Sequence, residues 1–253
     1  SVFYGPVAVA GYNAAHIPGA RFFDIDEISD HRSELPHMVP PVEKFMSRMR
    51  AMGVGDGHQV VVYDQVGVSS APRVWWLFKL MGQENVAVLD GGLPKWVAEG
   101  RNTEDLPPMV RDRHMTVRVQ NHLVKDVTQV SSASKLGDYE IVDARSRGRF
   151  AGTEPEPRAG LRGGHIPNSK NVPFGELLTE QKTLKSPDEL RSVFEAAGVD
   201  LSKPVITSCG SGITAAILSL ALERIGKTDH AVYDGSWAEW GAFGTLPVKT
   251  GEA

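Results

Sequence analysis

The chain has one cysteine, Cys209. It follows an apolar run, Pro204-Val205-Ile206-Thr207, and precedes Gly210-Ser211-Gly212-Ile213-Thr214. The run reads as a short buried strand, and Ala215 to Ile225, apolar almost all round, reads as a buried helix. Two glycines in the intervening loop let the backbone curl so that several amides face one point. The positive end of the helix adds to them. A thiolate or a bound anion is stabilised in such a place, which makes Cys209 a candidate nucleophile rather than a buried small hydrophobe. A phosphatase would use the same loop with an arginine six residues after the cysteine to clamp phosphoryl oxygens. That residue is Ala215 and the loop carries no cation, which argues against phosphoryl transfer.

The elements that position this loop occur twice. Val61-Val62-Tyr63-Asp64-Gln65 resembles Val205-Ile206-Thr207-Ser208-Cys209 at an offset of 144. The same offset joins Ala71 to Ala215 and Asp90-Gly91-Gly92 to Asp234-Gly235-Ser236. Gly53-Val54 matches Gly198-Val199 at 145, and His16-Ile17-Pro18 matches His165-Ile166-Pro167 at 149. Repeats of this kind imply two copies of one domain. The boundaries are expected at 1–105 for the first copy, 106–123 for a linker containing Pro107-Pro108, and 124–253 for the second. On this alignment Gln65 takes the place of Cys209, so the first copy is non-catalytic. Each copy alternates strand and helix, which predicts an α/β fold with parallel sheets flanked by helices. Ser186-Pro187-Asp188-Glu189 is a capping-box start, and Leu190, Val193, Phe194 and Ala197 recur at helical spacing. Val42, Phe45, Met46 and Met49 do the same in the first copy. Val60 to Tyr63 and Pro204 to Thr207 are expected as fully buried strands, the neighbourhood of Val124, Val127 and Val130 as a helix, and Tyr139 to Asp143 as a strand.

Composition narrows the function classes. The chain has 253 residues, 41% hydrophobic, with a formal net charge of −4. That balance argues against a nucleic-acid or polybasic membrane surface. No apolar run reaches the ~18 residues of a membrane span, and Ser1-Val2-Phe3-Tyr4 has no basic signal-peptide region. A lone cysteine cannot form an internal disulfide or a multi-cysteine metal site, and it suits the cytosol or an organelle matrix. The histidines lack ligand spacing, so no metal is expected. No Gly-x-Gly-x-x-Gly follows a strand, so a nicotinamide or flavin cofactor is unsupported.

Several motifs resemble the two-domain rhodaneses, in the branch that uses 3-mercaptopyruvate. They are His16-Ile17-Pro18-Gly19-Ala20, Ser70-Ala71-Pro72-Arg73-Val74-Trp75-Trp76, Val142-Asp143-Ala144-Arg145, Thr153-Glu154-Pro155-Glu156-Pro157-Arg158, Gly164-His165-Ile166-Pro167, the Cys209 loop, and Tyr233-Asp234-Gly235-Ser236-Trp237. They span about His16 to Pro247. The loop has the form of that branch, with Ile213 where Val is usual. The resemblance implies a cofactor-free sulfur transfer: Cys209 takes sulfur from 3-mercaptopyruvate, pyruvate leaves, and a thiol, a thioredoxin-like protein or cyanide removes the sulfur from the persulfide. It implies that Arg149 and Arg158 bind the donor carboxylate alongside Gly210, Gly212, Ile213 and Thr214. It also implies a relay of Ser211, His37 and Asp26, with Asp24 a close competitor of Asp26. Because His37 and Asp26 lie in the first copy, the site is expected at the domain interface.

Other residues read as structural. His16 and His165 are kept in both copies, as are Trp96 and Trp240. Trp75 and Trp76 suit the core, and Asp143 and Arg145 look like a local ion pair. Arg147 and Arg162 are assigned no role. The first copy has only 15 residues before His16, against 41 between Val124 and His165. It is therefore expected to be abbreviated at its N-terminus and less stable, with Val2-Phe3-Tyr4 and Val7 to Ala10 as a replacement strand or a divergent start. Two alternatives remain: a thiosulfate:cyanide sulfurtransferase, and a non-catalytic rhodanese-like binding module.

Overall fold

The computed structural model describes residues 6–251, and side chains from Ala8 onward. The chain folds as two compact units. The first comprises residues 1–120 with Glu180–Thr183, and the second comprises Asn121–Thr179 with residues 184–253.

The second unit contains β3 (Val124–Lys125), α5 (Val127–Leu136), β4 (Glu140–Asp143), α6 (Arg147–Ala151), β5 (Ser169–Asn171), α7 (Pro187–Ala196), β6 (Val205–Ser208), α8 (Ala215–Arg224), β7 (His230–Tyr233) and α9 (Ser236–Trp240). The five strands are all parallel, in the order β3-β7-β6-β4-β5. Every residue of β6 is buried, as its unbroken apolar run requires for a central strand covered on both faces. One core cluster gathers Val130 of α5, Ile141, Ile206 and Tyr233 of the sheet, and Trp237 and Trp240 of α9. α8 packs on β6 and β7 and is buried along most of its length. The Ser186–Glu189 capping box forms in full at the start of α7. Val124, expected in a helix, belongs instead to β3. There Asp126 caps α5 by accepting from the Gln129 amide, so the helix starts only at Val127.

The first unit contains α1 (Pro6–Ala14), α2 (Val42–Ala51), β1 (Val60–Val62), α3 (Ala71–Leu80), β2 (Val86–Val88) and α4 (Gly92–Ala98). Among the described residues its sheet has only β1 and β2, again parallel. β5 of the second unit pairs only with β4. Without a described counterpart of β4, the stretch after His16-Ile17-Pro18 in the first unit has no strand to pair with, and it stays irregular.

β1 is correspondingly not the fully buried strand its sequence suggests: Val61 is 52% exposed. The Val60 amide donates to the Asn85 carbonyl and the Val62 carbonyl accepts from Leu89, so both face β2. Alternate residues of a parallel strand point to opposite edges, so Val61 presents its amide and carbonyl to the other edge. A cavity of about 860 Å³ lies on this side, lined among others by Tyr12, Phe22, Phe23, Met49 and Phe78. Val7 to Ala10, expected as a replacement strand or a divergent start, lie within α1, which excludes the strand, while Val2-Phe3-Tyr4 fall outside the described residues.

Residues 106–120, expected as a linker, run back along the first unit. Met115 is buried, and the amides of Arg118 and Gln120 donate to the carbonyls of Met81 and Leu80.

The two histidines kept in both copies have the same structural task. His16 Nδ1 contacts the Tyr12 carbonyl at 2.8 Å and its ring stacks on Tyr12. His165 Nδ1 contacts the Phe150 carbonyl at 2.8 Å and its ring stacks on Phe150. Trp75, Trp76 and Trp240 are buried, and Trp96 is half-buried beneath Arg101.

The unequal sheets set an expectation for exchange. The Val61 amide should exchange with solvent at least roughly tenfold faster than that of Ile206, at the centre of five strands. Amide hydrogen exchange read by NMR checks this; equal protection would mean that the free edge of β1 is covered in solution.

Candidate active site

Cys209 follows directly on Ser208, the last residue of β6, and is 1% exposed. In a parallel sheet this carboxyl end is where ligands bind. The loop is held from below by α9. The Trp237 amide donates to the Cys209 carbonyl (2.9 Å), and the Ala238 amide to the Gly210 carbonyl (2.8 Å). The Cys209 amide donates to Ser236 Oγ (3.1 Å), and that hydroxyl donates to the Tyr233 carbonyl (2.8 Å). Ser236 adopts a positive φ of 49°, a left-handed conformation that L residues rarely take. Its two hydrogen bonds account for a serine there, and reading it as a motif letter alone missed this.

Gly212 has φ 78° and reverses the chain, as its position between Ser211 and Ile213 suggested. Ser211 and Ile213 are buried with it. The amides of Ser211, Ile213 and Thr214 and the Ser211 hydroxyl find no acceptor or partner among the described residues. Unpaired amides at a helix start are suited to an anion.

Arg149, in the middle of the five-residue α6, reaches this loop. Its Nη2 lies 3.0 Å from where a Cβ on Gly210 would stand, so a side chain there would push the guanidinium back by a few tenths of an ångström. Its Nη2 also donates to Glu156 Oε2 (2.6 Å). Glu156 Oε1 accepts from Arg145 Nη1 (2.7 Å). Arg145 is bound in turn to Asp143 (2.8 Å), as the local ion pair expected, and lies 4.2 Å over the Trp237 ring. Burial works against the Arg145 charge, but the two carboxylates outweigh it and hold its pKa above the usual value. Arg158 is half-buried and makes no hydrogen bond or ion pair among the described residues. Arg147 pairs with Glu176 on the surface, and Arg162 bonds the carbonyls of Gly241, Leu246 and Trp240, so both are structural.

In the first unit, His37 Nδ1 lies 3.1 Å from Asp26 Oδ1. His37 is buried in a left-handed conformation (φ 60°), and its carbonyl accepts from the fully buried Arg73 (2.6 Å). Burial, then the neighbouring Asp24, raises the Asp26 pKa. Asp24 itself is engaged with the amides of Asp26 and Glu27, so Asp26 is the acid beside His37.

The first copy's version of the loop corrects the alignment of Gln65 with Cys209. The Leu93 amide donates to the Asp64 carbonyl (3.0 Å) as that of Trp237 does to Cys209. Val60 bonds Asn85 as Val205 bonds Asp229. The strand is therefore offset by 145, the value that Gly53 and Gly198 already gave, and the loop that follows is one residue longer. Asp64 takes the cysteine's place. Its carboxylate accepts from the amides of Val66 (3.0 Å), Ser69 (2.8 Å) and Ala71 (3.0 Å), so the first copy fills its own amide cradle with a tethered anion. Burial dominates those bonds and raises the Asp64 pKa. The first copy also lacks the loop carrying Glu156 and Arg158: Tyr12 and His16 are four residues apart, where Phe150 and His165 are 15 apart.

The family described as "Rhodanese-like domain" matches residues 8–99 and 126–243. "Thiosulfate/3-mercaptopyruvate sulfurtransferase 1, mitochondrial" of Arabidopsis thaliana is 42% identical over 96% of this chain and 69% of its own. The 3-mercaptopyruvate sulfurtransferase of Escherichia coli K12 is 44% identical over 94% of this chain and 84% of its own. The crystal structure of SseA, described as a 3-mercaptopyruvate sulfotransferase from Escherichia coli, superposes with a TM-score of 0.84 at 41% identity, covering 92% of this chain and 87% of that one. The chain belongs to the rhodanese family.

Asp64 gives a pH signature with a definite sign. Its folded pKa lies above its unfolded one, so the folded state holds the proton longer. Stability from this group is complete below about pH 4 and falls as pH rises through the raised value. Asp64→Asn should flatten that part of the profile relative to the wild type. Denaturant midpoints measured from pH 3.5 to 7.5 check it; parallel profiles would mean Asp64 titrates normally.

Proposed function

We propose that the chain is a 3-mercaptopyruvate sulfurtransferase in which the second unit is catalytic. The observation that carries this reading is Arg149 lying over Gly210, beside a buried cysteine whose loop has no cation of its own. A carboxylate-bearing donor needs such a guanidinium at the side of the loop. The names of the Arabidopsis and Escherichia coli relatives support the same donor.

In the proposed reaction the Cys209 thiolate attacks the sulfur of 3-mercaptopyruvate. The carbon–sulfur bond breaks, its electron pair passes to the enolate of pyruvate, and a proton completes pyruvate. Cys209 is left as a persulfide. An acceptor thiolate then attacks the outer sulfur, the sulfur–sulfur bond breaks, and Cys209 returns as thiolate while the acceptor leaves as a persulfide. The unpaired loop amides stabilise the charge on the cysteine and its outer sulfur. Arg149 and Arg158 bind the donor carboxylate. The Ser211 hydroxyl, two residues from Cys209 and without another partner among the described residues, supplies the proton to the enolate in this reading. Among first-unit residues, His37 with Asp26 is the proposed acid–base pair. The acceptor is a small thiol, a thioredoxin-like protein, or cyanide, which attacks the same outer sulfur through carbon and leaves as thiocyanate. Among the described residues no helix is long and apolar enough to cross a membrane.

Two variants test the assignment. Cys209→Ser should abolish sulfur release from 3-mercaptopyruvate in an assay with a thiol acceptor. Turnover above about a hundredth of wild type would remove the persulfide mechanism. Arg158→Ala should raise KM for 3-mercaptopyruvate roughly tenfold with a smaller change in kcat, as expected for lost ground-state binding. An unchanged kcat/KM would exclude Arg158 from the site. Thiosulfate run in parallel distinguishes the alternative donor, which the Arabidopsis relative's name also includes.

A further inference from the structure

We propose that Glu156 is a positioning and specificity-determining residue of the Cys209 site: it aims the Arg149 guanidinium over the loop and cancels its charge, so that the site favours a singly charged donor over a doubly charged one. The inference rests on the reading of Arg149 as the partner of the donor carboxylate.

Three observations carry it. The Glu156 side chain is 2% exposed, although it sits in a loop whose neighbours Glu154, Pro155 and Pro157 are exposed. Its carboxylate bridges two arginines: Oε1 accepts from Arg145 Nη1 (2.7 Å) and from Arg149 Nε (3.3 Å), and Oε2 accepts from Nη2 (2.6 Å) and Nε (3.2 Å) of Arg149. Oε1 is thus the anchor on Arg145, and both oxygens hold the Arg149 fork. The anchor is rigid. Arg145 has no exposed surface and is fixed by Asp143 at the end of β4, by the Gly164 carbonyl (2.7 Å) and by the Trp237 ring. A fork–fork contact fixes the plane of a guanidinium as well as its position. Arg149, 23% exposed, is the one member of this chain of charges that reaches the Cys209 loop.

The charges within the chain are Asp143, Arg145, Glu156 and Arg149, which sum to zero. Around a buried carboxylate solvent screens little, so Glu156 weakens the field that Arg149 presents at the loop. The carboxylate of 3-mercaptopyruvate carries one charge and thiosulfate carries two, so the cancellation penalises thiosulfate more. Asp143 and the Gly164 carbonyl meet Nε and Nη2 of Arg145 while Glu156 meets Nη1, so loss of the Glu156 charge is expected to lower stability as well, and the donor ratio is the readout that separates positioning from stability.

The test compares the wild type with Glu156→Gln, Glu156→Asp and Arg149→Ala. For each, kcat and KM are measured for 3-mercaptopyruvate and for thiosulfate with one thiol acceptor, at low and high salt, together with the melting temperature. Glu156→Gln should raise KM for 3-mercaptopyruvate roughly tenfold and raise the ratio of kcat/KM for thiosulfate to that for 3-mercaptopyruvate by about as much. That ratio should fall back toward the wild-type value as salt rises. Glu156→Asp keeps the charge but shortens the arm. It should raise KM for 3-mercaptopyruvate and leave the donor ratio unchanged. The proposal is overturned if Glu156→Gln leaves the donor ratio within about twofold of wild type, whether activity is kept or lost equally on both donors with a lower melting temperature. If Glu156→Gln does not fold, an unchanged KM in Glu156→Asp overturns it. Arg149→Ala separates the two readings: an unchanged KM for 3-mercaptopyruvate removes Arg149 itself from donor binding, whereas a raised KM there with an unmoved Glu156→Gln removes Glu156 alone.

Discussion

The second unit is organised around a buried cation. Arg145 has no exposed surface, and a guanidinium taken out of water costs several kcal/mol unless its donors are met. Asp143, Glu156, the Gly164 carbonyl and the Trp237 ring meet them. Those four groups come from three segments: Asp143 from the end of β4, Glu156 and Gly164 from the loop 152–164, and Trp237 from α9. Satisfying one side chain therefore fixes these three segments against each other. Two of them make the site: α9 carries the Cys209 loop on the Trp237 and Ala238 amides, and the Glu156 loop carries Arg149 to Gly210. The pair is a device of geometry before it is one of stability, because a buried ion pair gains little over well-packed apolar side chains.

The two copies show how one backbone plan is given different chemistry. Both place a loop after a strand and before a buried helix. In the second, a thiol follows the strand and the amides of Ser211, Ile213 and Thr214 are left for an anion. In the first, Asp64 stands two residues beyond the strand, and its carboxylate takes the amides of its own loop. A tethered anion has no association entropy to overcome, so an external one competes poorly. Loss of the Tyr12–His16 counterpart of the 152–164 loop removes the arginine-bearing segment as well. The first copy lacks both a thiol and the segment that carries Glu156 and Arg158 in the second.

The sheets differ for a related reason. A central parallel strand needs neighbours on both edges to bury its polar backbone. β6 has β7 and β4; among the described residues β1 has only β2. Val61 is consequently half exposed, and a cavity lined by Tyr12, Phe22 and Phe23 lies beside it. The apolar sequences of the two strands are nearly alike, so the difference lies in what stands next to them.

Much of this was legible in the residues. The Ser186–Glu189 box, the buried α8, the doubled architecture and the structural pairs around His16 and His165 follow from local rules of capping, periodicity and repetition, and Cys209 is a candidate nucleophile as a thiol between a strand and a glycine loop. Arg149, Arg158, Ser211, His37 and Asp26 came from resemblance, and the structure brings Arg149 to Gly210 and His37 to Asp26. Other features were not legible. A one-residue difference in loop length moved the Cys209 counterpart from Gln65 to Asp64, because a short apolar repeat such as Val60-Val61-Val62 slides against its partner without changing its pattern. Of the two readings open for Val7 to Ala10, a replacement strand and a divergent start, the helix α1 rules out the strand; alternating small apolar residues fit either period. Ser236 and Glu156 were visible only as motif letters, since their partners lie 27 and 11 residues away. The sequence by itself determined which elements form, that they form twice, and which single side chain can be a nucleophile. Tertiary structure alone decided which amides stay unpaired and which carboxylate neutralises which arginine, because hydrogen bonds and buried charges are settled by distances between segments that no local pattern encodes.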